Sequence, residues 1–190
     1  MGCSLWHHRI RNRVRNKCPH TSAVCVIALC SRSVHDTHAI AGVLAGLARP
    51  SDVIILAGDM GAGKTAFAVG FAQHLGVSDD EMVASPTFTL VHTHDSGRLP
   101  LLHADVYRLN HVGEVSDLGL LEQADMGRVV LVEWGNVVAD VLGDVLTVEL
   151  MPLDDDENGR NVLITSTGQA WATRWKQLER ELTAWDELAC

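Results

Sequence analysis

The chain has 190 residues, which predicts about one domain. Its 47% hydrophobic and 21% charged composition is that of a globular protein and excludes wholesale disorder. The net charge of -9 is unevenly spread: residues 1–33 carry Arg9, Arg11, Arg13, Arg15, Lys17 and Arg32 with no acid, leaving an acidic body that argues against a nucleic-acid-binding stripe.

Residues 1–33 read as a flexible basic extension that can include a first strand near 23–30. Its apolar run Ala23–Leu29 has seven residues, against roughly 20 for a membrane span. Four of the five cysteines (Cys3, Cys18, Cys25, Cys30) fall in this stretch and only Cys190 lies outside it. That pattern supplies no disulfide framework for the body, so the expectation is a reduced, cytoplasmic protein with Cys25 and Cys30 as buried thiols.

From residue 34 to 190 strand and helix signals alternate, as expected of a single α/β domain with a mostly parallel sheet and helices on both faces. Asp36 and Thr37 are N-cap types ahead of Ile40, Val43, Leu44 and Leu47 at helical spacing. Val53-Ile54-Ile55-Leu56 has the continuous apolar character of a buried parallel strand. A glycine-rich turn follows, then a helix over 66–75 closed by Gly76. Further strands are expected at 88–94, 99–104 and 129–133, and a pair at 145–150 and 161–166 across an acidic loop. Trp171, Trp175, Leu178, Leu182 and Trp185 predict one long amphipathic helix over 169–189.

Gly58-Asp59-Met60-Gly61-Ala62-Gly63-Lys64-Thr65 fits the phosphate-loop pattern G-x-x-x-x-G-K-[ST], with a strand before it and a helix after it. Glycines let successive N–H groups converge on phosphate oxygens, and the helix N-terminus adds partial positive charge. Lys64 is placed for the β- and γ-phosphates and the Thr65 hydroxyl for Mg²⁺. A second metal-binding carboxylate is expected at the end of a neighbouring strand, where Glu133 closes Val129–Val132. Trp134 beside it is a candidate for the nucleotide site. Asp105, after another apolar run, should reach the same sheet edge and could orient water or accept its proton.

Some patterns point elsewhere. Asp154–Gly159 matches half an EF-hand loop but lacks the twelfth-position Glu and the flanking helices. His92, His94 and His103 have no cysteine pair to complete a zinc set. Asp140–Gly143 matches D-x-x-G, without any N-K-x-D for guanine.

The loop 56–65, the segment Ser85-Pro86-Thr87-Phe88-Thr89-Leu90, the run His103–Leu109 and Val132-Glu133-Trp134 together resemble the TsaE (YjeE) family. This family comprises the bacterial P-loop ATPases of tRNA threonylcarbamoyladenosine synthesis. The resemblance covers roughly residues 34–150. It implies a Mg²⁺-dependent ATPase with slow or partner-dependent turnover that acts on a TsaB–TsaD pair, meets tRNA only through that complex and has no DNA or membrane partner. It implies Thr65 and Glu133 as metal ligands and Asp105, with Lys64 and Glu133, as the residues of hydrolysis. Ser85, Pro86, Thr87 and Thr89 become switch-like positions, and Val34–Thr37 the segment beside adenine. Phe88 departs from the family's frequent Tyr, Ala66 from a second Thr, and Gly113-Glu114 from two adjacent acids.

Two other readings fit the same loop. One is a small metabolite kinase, disfavoured because the stretch after the Asp105 strand brings only Arg108 and Arg128 before Glu133. The other is a nucleotide-gated interaction module with negligible hydrolysis.

Overall fold

The computed structural model describes residues 25–109 and 112–186. Seven strands form one mixed sheet in the order β1-β7-β6-β2-β5-β4-β3. They are β1 (Cys25–Ser31), β2 (Val53–Ala57), β3 (Val91–His94), β4 (Leu101–Asp105), β5 (Val129–Glu133), β6 (Val145–Leu153) and β7 (Asp156–Ser166). The four central strands, β6, β2, β5 and β4, run parallel. The parallel character read from the sequence is confined to them. β3 is antiparallel on one edge, and the β6–β7 hairpin and β1 are antiparallel on the other.

β2, β4 and β5 are buried along their whole length and mostly apolar because both of their faces are covered. Ile54, Leu56, Leu131 and Val148 point to one core, with α1 (Val34–Leu47) and α2 (Lys64–Leu75) packed on it. Val53, Ile55, Val130 and Val132 point to the other, beneath α3 (Val112–Ser116), α4 (Leu120–Asp125) and α5 (Ala139–Leu142). Helix α1 begins at Val34 rather than at Asp36 or Thr37. Ser33 is the cap: its hydroxyl accepts the Asp36 N–H at 3.1 Å, and Asp36 Oδ2 accepts the Arg32 N–H at 3.0 Å. This reciprocal arrangement has the logic of a capping box.

Several boundaries differ from the sequence reading: the hairpin strands expected at 145–150 and 161–166 run on to Leu153 and start at Asp156, and three further differences stand out. First, β1 pairs with β7 over its whole length, from Cys25↔Ser166 to Ser31↔Arg160, so the α/β unit starts before residue 34. Residues 1–24 of the basic extension lie outside the described residues. Second, the segment 169–189 is not one helix. It comprises a 3₁₀ turn at Ala172–Arg174, α6 at Trp175–Glu181 and a second 3₁₀ turn at Thr183–Trp185, with 187–189 outside the described residues. Trp171, Trp175, Leu178 and Leu182 are buried as their spacing predicts. What interrupts the helix is tertiary. Asp144 Oδ2 accepts the N–H groups of Gln169 and Ala170, and Arg174 turns inward to a buried pair with Asp52, with Nη1 at 2.7 Å from Oδ2. Third, the strand expected over 88–94 is shortened to 91–94, because 85–90 turns toward the site. Cys25 and Cys30 are each disulfide-bonded and are not the free thiols expected.

Candidate functional site

Strand β2 delivers the chain to Gly58, whose φ of 132° and tight packing both require glycine. A Cβ there would lie 2.2 Å from the Leu150 carbonyl oxygen on β6. Gly61 (φ 77°) and Gly63 (φ 105°) complete the curl, and a Cβ on Gly61 would meet nothing within 4 Å. The loop therefore opens a backbone concavity at the start of α2, whose first-turn N–H groups have no intrahelical partner. The 12 residues of α2 give that N-terminus a full macrodipole.

The cavity at this helix start measures about 440 Å³. Met60, Gly61, Gly63, Lys64 and Thr65 line it from the loop, Ser85 and Thr87 from the segment before β3, and Asp105, Tyr107, Glu133 and Trp134 from the ends of β4 and β5. Parallel pairing sets Asp105 opposite Glu133 at the carboxyl edge of the sheet. Three separate sequence regions thus converge because the parallel strands end together.

Lys64 is buried, and its ammonium donates to the carbonyls of Gly58 and Asp59, each at 2.8 Å. It also lies 3.6 Å from the ring centre of Trp134. Burial pushes its pKa down, against the opposing pull of Glu133, Asp105 and Asp59. Trp134 stands in the left-handed region (φ 63°), which costs strain for a non-glycine residue, and its ring meets that of Tyr107 at 4.8 Å.

The Thr65 hydroxyl donates to Glu133, 3.0 and 3.1 Å from its two oxygens. The pair offers neutral and anionic oxygen donors side by side, the set a hard divalent cation such as Mg²⁺ favours. Among the described residues no group of three or more His, Cys, Asp or Glu forms a metal site. Such an ion would therefore complete its shell with phosphate or water oxygens, as Mg²⁺ does.

Asp105 is equally enclosed. Its Oδ2 accepts Ser85 Oγ at 2.8 Å and Thr87 Oγ1 at 2.7 Å, and its Oδ1 accepts the Tyr107 N–H at 2.9 Å. Ser85 and Thr87, expected as switch-like positions, are thus tied to the Asp105 carboxylate. Pro86 is buried between them, whereas Thr89 turns outward to His92 at 2.8 Å. Phe88 is exposed with the Arg108 guanidinium 4.5 Å from its ring centre.

Not every expected residue lines the cavity. Gly58, Asp59 and Ala62 shape the loop from outside it. Val34 is exposed at the start of α1, and Thr37 is buried with its hydroxyl 2.8 Å from Ser31 Oγ; neither lines the cavity.

Two polar residues were missed. His103, fully buried on β4, places Nε2 2.9 Å from Glu133 Oε1. It sits two residues before Asp105, so its side chain leaves β4 on the same face, a spacing that could have marked it. Arg160 on β7 donates Nε to the Ala62 carbonyl at 2.8 Å. It is 98 residues from that carbonyl, and no local pattern points to it. The histidine and acidic alternatives dissolve: His94 faces Glu81, His103 faces Glu133, and Asp154-Asp155 is the turn of the β6–β7 hairpin.

A glycine loop leading into a helix, with a threonine and two carboxylates at the carboxyl edge of a parallel core, defines the fold and site of a P-loop NTPase-like protein. The family model for "Threonylcarbamoyl adenosine biosynthesis protein TsaE" matches residues 31–162. The chain belongs to the TsaE family, whose named members are tRNA threonylcarbamoyladenosine biosynthesis proteins. The TsaE protein of Bacillus subtilis is 40% identical over 155 residues, covering 81% of this chain and 92% of that protein. The Streptomyces coelicolor TsaE protein is 36% identical, covering 68% and 90%. The crystal structure of Bacillus subtilis YdiB superposes with a TM-score of 0.70 at 33% identity, covering 85% of this chain and 98% of that one. No helix among the described residues is long and apolar enough to cross a membrane.

Proposed function

We propose that this protein is the Mg²⁺-dependent ATP-binding and hydrolysing component of tRNA threonylcarbamoyladenosine synthesis, acting on partners resembling TsaB and TsaD. The observation that carries the reading is the meeting of Lys64, the Thr65–Glu133 pair and Asp105 around one cavity at the start of α2. Lys64 would exchange two backbone carbonyls for β- and γ-phosphate oxygens, which hold an ammonium more strongly because they carry full charge. Thr65 and Glu133 would hold the cation, which supplies charge neutralisation at the phosphates. Asp105 would orient or deprotonate water from a position fixed by three hydrogen bonds. Catalysis here is chiefly electrostatic and positional, so geometry is its main requirement.

The acidic body leaves the tRNA contact to the partners. The deciding experiment is reconstitution of threonylcarbamoyladenosine formation with and without this protein, alongside phosphate release from ATP. Formation that depends on the protein and on Lys64 supports the reading. Formation indifferent to its presence, with ATP consumed on a metabolite acceptor, would replace it with the kinase reading.

A further inference from the structure

The nucleotide reading assigns every group that faces the phosphates but leaves the outer wall of the loop without a role. The Arg160 guanidinium covers that wall. Nε donates to the Ala62 carbonyl at 2.8 Å and Nη2 to the Gly61 carbonyl at 3.4 Å. Nη1 donates to the carbonyls of Glu157 and Gly159 in its own hairpin, at 2.8 and 2.7 Å. All three nitrogens are thus engaged with backbone, two with the phosphate loop and one with the hairpin. Arg160 itself is held in the sheet, paired with Ser31 on one side and Pro152 on the other, next to the register shift between Pro152 and Leu153.

We propose that Arg160 is a positioning residue for phosphate binding, clamping the glycine loop to the β6–β7 hairpin with its N–H groups aimed inward. The inference rests on the nucleotide reading of the cavity. The Ala62 carbonyl belongs to the same peptide unit as the Gly63 N–H, at the mouth of α2. A charged donor on that oxygen polarises the peptide and strengthens its N–H as a donor to an anion. Gly61 and Gly63 both lie at positive φ, in a stretch whose free chain has many alternatives. Holding the loop beforehand removes ordering cost from the binding step. Only arginine serves, because its planar fork reaches loop and hairpin together, whereas a lysine ammonium is a single point.

The test is calorimetric titration of the full chain with ADP and AMP in Mg²⁺, for wild type and Arg160→Ala, with thermal melting of each. The expected result is an ADP affinity weaker by roughly tenfold. AMP affinity should change far less, since the β-phosphate is the group the loop cradles. Arg160→Lys should not restore ADP binding, and millimolar guanidinium ion should partly restore it in Arg160→Ala. Wild-type ADP affinity in folded Arg160→Ala overturns the proposal, as does an equal loss for AMP and ADP, which marks a general defect. If Arg160→Ala does not fold, Arg160→Gln is titrated against the same criteria. Failure of the wild-type chain to bind ATP or ADP would instead sink the nucleotide reading, and this inference with it.

Discussion

Lys64, Thr65, Glu133 and Asp105 each hold a partner whose loss has a distinct signature. Lys64→Ala removes the one ammonium in the cavity and should weaken ATP binding by at least tenfold, measured by titration. Asp105→Asn keeps the shape and the contact with Tyr107 N–H but abolishes the carboxylate. Nucleotide affinity should stay near wild type while steady-state hydrolysis falls by about 10² or more; an unchanged rate would refute its role. Glu133→Gln should raise the Mg²⁺ concentration needed for tight ATP binding. Most of this was legible from residue order, because a phosphate loop, a strand-ending Glu and a strand-ending Asp are local patterns. Arg160 was not, since its meaning lies in what the sheet brings beside it, and His103 showed only in its spacing from Asp105.

At the scale of elements, the boundaries are where sequence and structure part. Strand and helix periodicities were correct for β2, α2, β5 and the β6–β7 hairpin, whose apolar runs and turns are self-contained. The segment after β7 shows the opposite. Its buried positions follow helical spacing, yet Asp144 and the Arg174–Asp52 pair bend it into three short pieces. The pair is buried on both sides, so removing one partner leaves an uncompensated charge. Asp52→Ala should cost about 3–5 kcal/mol in denaturant unfolding, and the double variant Asp52→Ala with Arg174→Met should recover part of it. Gly58→Ala faces both a forbidden φ and the Leu150 carbonyl, so it should lower the melting temperature and ATP affinity together.

At the scale of the whole molecule, His38 on α1 carries a proton-linked stability difference in the range just below neutral pH. Burial, then the nearby His74 and His35, holds His38 below its ordinary 6.5. The folded state therefore resists protonation there. The associated stability is intact above pH 6.5 and declines as the pH falls through the window between that value and the lowered folded pKa. Urea midpoints from pH 7.5 to 5 should show this decline, and His38→Gln should flatten it.

The sheet edge formed by β1 and β7 joins the first and last described strands, 141 positions apart at Cys25↔Ser166. Local contacts form early in a growing chain, and contacts of such long separation form late. On the ribosome β1 must wait for β7, leaving Ile27 and Leu29 without their core until nearly the whole chain has emerged. The phosphate loop is bounded by β2 and α2 and, on the proposal made for Arg160, held from β7, so a loop ready for nucleotide would be complete only once β7 has joined the sheet. Nascent chains arrested before residue 156 should therefore fail to retain ATP, whereas released full-length chains should retain it.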